Sequence, residues 1–229
     1  MAKDTLEALE RNARLRHEIE DQITHHFAAE DAVLHETIKA QAQAGLPDIQ
    51  ISPIEGRLLQ VLAAAGNVRK ILEIGALGGY SGIWLARALP EGGKLITLEI
   101  SPKHAEVVRA AFARAGLSNR AEVRVGSAAE LLPALQSEAP FDMFFIDANK
   151  DDYPTYLDWA LKLARPGSII VADNNIRYGK PFQEPAPDTE NAGVAAYNQR
   201  IATDPRLRSI LLAIDEDGMD GFAISVVLP

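Results

Sequence analysis

Lys70-Ile71-Leu72-Glu73-Ile74-Gly75-Ala76-Leu77-Gly78-Gly79-Tyr80-Ser81 sets a strand-length run, apolar after Lys70 except for Glu73, directly before three glycines. Downstream, further strand-length runs at Lys94 to Leu98, Glu122 to Val125, Phe141 to Ile146 and Ser168 to Ala172 alternate with helix-length segments. That alternation is the pattern of strand–helix–strand crossovers and predicts five parallel strands in one sheet. Ser101-Pro102 opens one intervening helix, which Gly116 closes, and Tyr153 to Ala164 forms another that ends before Pro166-Gly167. Arg208 to Ile214 and Phe222 to Leu228 are separated by Asp215 to Gly221, too short for a helical crossover, and predict an antiparallel hairpin. The irregular stretch Tyr178 to Asp188, with Pro181, Pro185 and Pro187, predicts a loop at the rim.

Upstream, Asp4 to Ala44 contains neither Gly nor Pro, and Leu6, Leu9, Leu15, Ile19, Ile23, Phe27, Leu34 and Ile38 recur at near-helical spacing. One or two amphipathic helices are expected there, followed after Ser52-Pro53 by a helix that Gly66 ends. The chain reads as one domain, with a helical extension over 1–50 and an α/β core over 51–229.

Composition narrows the function. The 229 residues include 23 Lys plus Arg, 32 Asp plus Glu and no Cys, with 47% hydrophobic residues and a net charge of −9. This is globular composition, and a chain of this size can bury a sufficient core without covalent staples. Disulfides, thiolate metal sites and thiol catalysis are excluded. No basic run marks a nucleic-acid binder, and no apolar stretch approaches the ~20 residues needed to span a bilayer. A soluble cytoplasmic protein without a nucleic-acid or membrane partner is expected.

The glycine turn lets backbone approach a ligand closely, but Leu77 stands where a dinucleotide-type G-x-G-x-x-G needs glycine. Glu73 inside the first strand carries a desolvation cost that a cationic ligand would offset, or that a neighbour such as Arg69 would. Glu99 ends the second strand, where an acid conventionally binds the hydroxyls of a ribose. Gly126-Ser127-Ala128 follows the third strand and suits either the edge of an adenine or a routine helix cap. The fourth and fifth strands end in Asp147 and in Asp173-Asn174, hard oxygen donors of the type preferred by Mg²⁺ or Ca²⁺. Lys150 lies three residues past Asp147, near enough for its ammonium to reach a bound oxygen. His17, His25, His26, His35 and His104 form no metal-binding spacing and are read as structural or surface residues.

Together these residues resemble the cation-dependent class I O-methyltransferases, the family of caffeoyl-CoA and catechol O-methyltransferases. The resemblance runs from about Ile51 to the C-terminus through ILEIGALGGYSGIWLARALP, LITLEISPKHAEVVRAAFARAGL, FDMFFIDANKDDYPTYL and IIVADNN. It implies a Rossmann-like, seven-stranded, mostly parallel sheet with an antiparallel last strand, helices on both faces and extra N-terminal helices. It implies that Glu73, Gly75, Ala76, Gly79, Tyr80, Ser81, Glu99, Ser127, Ala128 and Asp147 bind S-adenosylmethionine, which leaves as S-adenosylhomocysteine. Asp147, Asp173 and Asn174 would hold the divalent cation, with Asp147 and Lys150 catalytic and Lys150 acting as general base or as a cation that stabilises a phenolate. Tyr156 and Tyr178 fall near substrate positions, the acceptor is a phenolic small molecule, and a homodimer is expected. The chain departs from the family at Asn149, where Asp-x-Asp-Lys becomes Asp147-Ala148-Asn149-Lys150, and at Ala195, where related bacterial sequences often carry Arg.

Three competing readings use the same features. A nicotinamide-dependent dehydrogenase would share the glycine turn and Glu99 but not the oxygen-donor cluster. A nucleic-acid amino-methyltransferase needs a Pro-Pro-aromatic tetrapeptide after the fourth strand, where this chain has Ile146-Asp147-Ala148-Asn149. A binding protein could keep the fold and lack catalysis.

Overall fold

Strand β1 (Lys70–Ile74) is an inner strand of a seven-stranded sheet in the computed structural model of the chain, which describes residues 2–215 and 218–229. Its companions are β2 (Lys94–Glu99), β3 (Ala121–Val125), β4 (Phe141–Ile146), β5 (Ala164–Ala172), β6 (Leu207–Asp215) and β7 (Asp220–Val227), in the order β3-β2-β1-β4-β5-β7-β6. The first five run parallel, and β7 is antiparallel to both of its neighbours. The expected five parallel strands and terminal hairpin are therefore present; Glu216 and Asp217 of the connecting turn lie outside the described residues. β5 begins four residues before the expected Ser168, with Gly167 at φ +87° inside it.

Continuous apolar runs suit strands covered on both faces. Ile71, Met143, Phe145, Ile169 and Val171 point into one core, beneath α3 (Pro53–Ala65), α4 (Tyr80–Ala88) and α5 (Pro102–Arg114). Leu72, Ile74, Phe144, Ile146 and Ile170 point into the other, beneath α7 (Tyr153–Leu163) and α8 (Thr189–Thr203). The short α6 (Ala128–Leu131) follows β3. Ser52 closes a capping box with Glu55 at the start of α3, and Ser101 caps α5, as the Ser-Pro pairs predict.

The N-terminal region divides into α1 (Ala2–Phe27) and α2 (Ala32–Gln43), with Asp31 capping the second. α2 packs on α4 and α5. α1 instead leaves Leu15, Ile19, Ile23 and Phe27 exposed.

The chain order reverses between β1 and β4, the place where an open parallel sheet leaves a crevice at its carboxyl edge. Ile74 pairs with Ile146, and Ile146 with Ala172. The next residues, Gly75, Asp147 and Asp173, therefore stand side by side, with Asp147 N–H donating to Ile74 O and Asp173 N–H to Ile146 O, both at 2.9 Å.

Candidate active site

A cavity of about 860 Å³ opens at this edge. One end is walled by Glu99, Ile100, His104 and Gly126 to Ala129, the other by Asp147 to Lys150, Asp173, Asn174 and Arg177. Gly75 joins the two: it has φ +97°, and a Cβ there would strike the carbonyl of Asp147. Any side chain at 75 would push β1 and β4 apart at the crevice. Leu77, the residue that breaks the dinucleotide pattern, itself adopts φ +49°.

Glu99 is nearly buried rather than facing water. Its Oε2 accepts from the backbone N–H of Ala76 (3.2 Å) and Leu77 (3.1 Å), and its Oε1 from Ser101 N–H (2.8 Å). The carboxylate thus pins the glycine turn while still bordering the cavity. Ser127 caps α6, its Oγ accepting from Glu130 N–H at 3.3 Å, so the cap reading holds; Ser127 and Ala128 also line the cavity wall.

Glu73 is fully buried and does not pair with Arg69, whose guanidinium donates to Glu91 O instead. Ser81 Oγ donates to Glu73 Oε1 at 2.6 Å, and Oε2 has no hydrogen-bond partner among the described residues. Burial pushes the Glu73 pKa up to about 7; the Ser81 and Thr97 hydroxyls oppose that shift, and the charges of Asp147 and Glu99 add to it. Ser81, with Ala76 and Tyr80, borders a small recess beside the main cavity, so Glu73 reaches ligand space only through Ser81. Tyr80 is itself buried, its hydroxyl donating to Glu30 Oε1 at 2.8 Å. Gly79 is the left-handed N-cap of α4 (φ +87°), and a Cβ there would lie in ordinary contact with Val108 and Ala111, so the backbone conformation rather than space or the cavity calls for glycine.

At the other end, Lys150 Nζ, on the 3-10 turn Lys150–Asp152, donates to Asp147 Oδ1 at 2.7 Å and lies 5.0 Å from the Tyr153 ring centre. Asp173 is buried, and burial raises its carboxyl pKa well above the usual range; the charges of Asp147 and Glu55 raise it further, and Lys150 opposes them. Asn174, at φ +55°, directs Nδ2 to Asp220 Oδ2 at 3.2 Å. Two carboxylates and an amide are thus gathered with one ammonium, which is already engaged with Asp147. Excess negative charge in a desolvated place and a hard-oxygen donor set both fit a divalent cation. Among the described residues, no three His, Cys, Asp or Glu side chains gather in a metal-holding group, so any cation here would rest partly on the Asn174 oxygen.

Tyr156 lines the cavity; its hydroxyl lies 3.5 Å from Asp152 Oδ2, and burial first, then Asp152, pushes its pKa up to about 12. Tyr178 is exposed and lies outside the cavity wall; the preceding Arg177 takes that place, its guanidinium donating to Glu190 (2.7 Å) and Asn191 (3.0 Å). Asn149 also borders the cavity, with Nδ2 donating to Asp152 at 2.9 Å.

Sequence reasoning missed several participants. Asp48 to Ile51 roof the cavity, held by Gln41 Nε2, which donates to Pro47 O and Gln50 Oε1, both at 2.8 Å. Gly193 of α8 lies so close to the turn bearing Lys150 that a Cβ would meet Lys150 O and, at 2.9 Å, Asp151 Cα. Tyr153 Oη donates to Asp173 O at 2.8 Å from a fully buried position. The Gln41-to-Gln50 pairing, the Gly193 approach and Asp220 at the start of the last strand carry no local signal.

A family model described as O-methyltransferase matches residues 24–223. The chain is 41% identical over 219 residues to a catechol O-methyltransferase of Niastella koreensis, covering 94% of this chain and 99% of that protein. It is 42% identical over 202 residues to a catechol O-methyltransferase of Mycobacterium tuberculosis, covering 88% and 91%. An O-methyltransferase from Bacillus cereus, solved in complex with SAH, superposes with a TM-score of 0.88 at 41% identity, over 92% of this chain and 97% of that one. TomG from Streptomyces achromogenes, an O-methyltransferase solved in complex with SAM, gives 0.86 at 39% identity, over 93% and 96%.

Proposed function

This chain belongs to the O-methyltransferase family, and from that premise we propose that it methylates a hydroxyl of a catechol-type small molecule, using S-adenosylmethionine and a divalent cation, Mg²⁺ or Ca²⁺. One observation carries the reading: the glycine turn and the Asp147, Asp173, Asn174 oxygens stand on three adjacent strand ends and open into a single cavity. Relatives named for catechol and neighbours solved with SAH or SAM support the same assignment. A dehydrogenase reading loses its support, since the dinucleotide glycine is Leu77 and the relatives are methyltransferases.

Glu99, already anchored by three backbone donors, keeps acceptor capacity for ribose hydroxyls, and Ser127 and Ala128 would border the adenine. Asp147, Asp173 and Asn174 would hold the cation, which when bound supplies positive charge that favours the ionised form of an adjacent hydroxyl. A free phenol has a pKa of about 10, so ionisation is the step that most needs help near neutral pH. Lys150 Nζ is the group placed to take that proton, provided it has first given up one of its own to solvent; as the ammonium that donates to Asp147 it would instead stabilise the phenolate by its charge. The enclosing walls would bind and orient the acceptor against the methyl donor, an effect worth up to about 7–11 kcal/mol in well-oriented reactions. The exposed stripe of α1 supports a homodimer.

The test is transfer of radiolabelled methyl from S-adenosylmethionine to catechol, with and without chelator. Transfer that stops with EDTA and returns with Mg²⁺ or Ca²⁺ is expected. Undiminished transfer in EDTA would remove the cation, and no transfer to any phenol would remove the acceptor class.

A further inference from the structure

We propose that Asp220 is a positioning residue that turns the side-chain oxygen of Asn174 toward the cation; this rests on the reading of Asp147, Asp173 and Asn174 as cation ligands. Asp220 opens β7, the antiparallel strand beside β5, and is 7% exposed. Its two oxygens do different work. Oδ1 accepts from the backbone N–H of Ile176 (3.2 Å), Arg177 (3.0 Å) and Gly221 (2.9 Å). Oδ2 accepts from Asn174 Nδ2 at 3.2 Å.

An ionised carboxylate only accepts hydrogen bonds. Facing Asp220, the Asn174 amide must therefore present its NH₂ to that side and its carbonyl oxygen to the other, away from β7. The reverse orientation would set oxygen against oxygen and offer a cation two N–H donors. An asparagine ligand is ambiguous by half a turn about its last bond, and the carboxylate 46 residues away removes the ambiguity. The Oδ1 bonds meanwhile hold the left-handed turn in which Asn174 has φ +55° and Arg177 φ +45°.

This division of labour makes Asp220→Asn an informative change. Its remaining oxygen can keep the three backbone donors, so the turn is preserved. Its new NH₂ replaces Oδ2 and faces the Asn174 NH₂, which forces the Asn174 amide to turn over. Mn²⁺ binding to the whole protein, followed by electron paramagnetic resonance, should weaken at least tenfold, while S-adenosylhomocysteine affinity stays within about twofold. Adding Asn174→Asp supplies an oxygen to each side, so the double variant should return to within about threefold of the parent. The gain from Asn174→Asp should be larger in the Asp220→Asn background than in the parent, a coupling that general loss of structure would not produce.

If the parent and Asp220→Asn bind Mn²⁺ equally, the proposal fails while the cation site stands; if the parent binds no Mn²⁺, the cation site fails and the proposal with it. A measurement on the parent keeps the question decidable should the variant not fold. The Asn174 side-chain NH₂ should give a proton resonance protected from solvent exchange, with and without Mg²⁺, and free exchange in the Mg²⁺-loaded protein would overturn the assignment.

Discussion

Glu73→Gln should stabilise the ligand-free protein above neutral pH and leave it nearly unchanged in mild acid. The wild-type carboxyl is fully buried, with one oxygen held by Ser81 and the other without a hydrogen-bond partner among the described residues, and burial pushes its pKa up to about 7 against 4.5 for an ordinary glutamate. The folded form therefore binds this proton more tightly than the unfolded form does. Stability from that proton is fully present below pH 4.5 and is lost as pH rises through about 7. At about 1.4 kcal/mol per tenfold change in proton affinity, the loss reaches about 3.5 kcal/mol once the group is ionised in both states. Glutamine keeps the shape, can accept from Ser81, and carries no charge at any pH.

The assay is urea unfolding of both proteins without S-adenosylmethionine at pH 5 and pH 8. Every other titrating group is common to the two, so its contribution largely cancels in their difference. That difference should move in favour of Glu73→Gln by roughly 2–3 kcal/mol between the two pH values, equivalent to about 5–10 °C in Tm for a chain of this size. A difference that is the same at both pH values would show that Glu73 is ionised throughout or that hidden water solvates it, and the burial argument would be wrong.

Four shorter tests follow from the site. Lys150→Ala and Lys150→Arg separate base from electrostatic role: a base predicts at least a hundredfold loss of kcat in both, whereas retention of activity by Lys150→Arg would make the residue a fixed positive charge. Asp173→Ala should abolish turnover yet leave S-adenosylhomocysteine affinity, read by calorimetry, within a few-fold of wild type; equal loss of both would contradict the separation of cofactor and cation ends. Gly193→Ala should cost about 1–3 kcal/mol in urea unfolding and lower kcat more than it changes KM for the methyl donor, since its Cβ would press on the backbone that carries Lys150. Arg177→Ala, which removes the clasp to Glu190 and Asn191, should raise KM for the acceptor and not for the methyl donor; an unchanged acceptor KM would place Arg177 outside the acceptor's reach.

Strand positions were legible because apolar runs of five or six residues between turn residues have few alternatives, and β1 and β4 match their expected bounds. Asp147 and Asp173 were legible for the same reason: each follows the last residue of a strand, and strand ends at the switch in order form the crevice. Glu73 was visible as an anomaly, an acid where the pattern demanded an apolar residue, but its partner was not. Arg69 and Ser81 are both close in sequence; the start of α4 turns Ser81 back over β1, whereas Arg69 ends up at the opposite edge of the sheet.

What stayed hidden shares one physical character: it orients rather than supplies. Gln41 holds the roof, Gly193 makes room for Lys150, and Asp220 sets the direction of Asn174. Each comes from an element that meets the site laterally, and its residue type is ordinary for its own segment. A buried Asp at a strand start or a Gly in the first turns of a helix carries no chemical signature until the neighbouring strand is known. The antiparallel placement of β7 beside β5 is what turns Asp220 from a strand-capping acid into the residue facing an asparagine 46 positions earlier. Substituting the orienting residues should therefore leave the donor atoms in place and change where they point, so the loss would be read in cation affinity and kcat before it is read in stability.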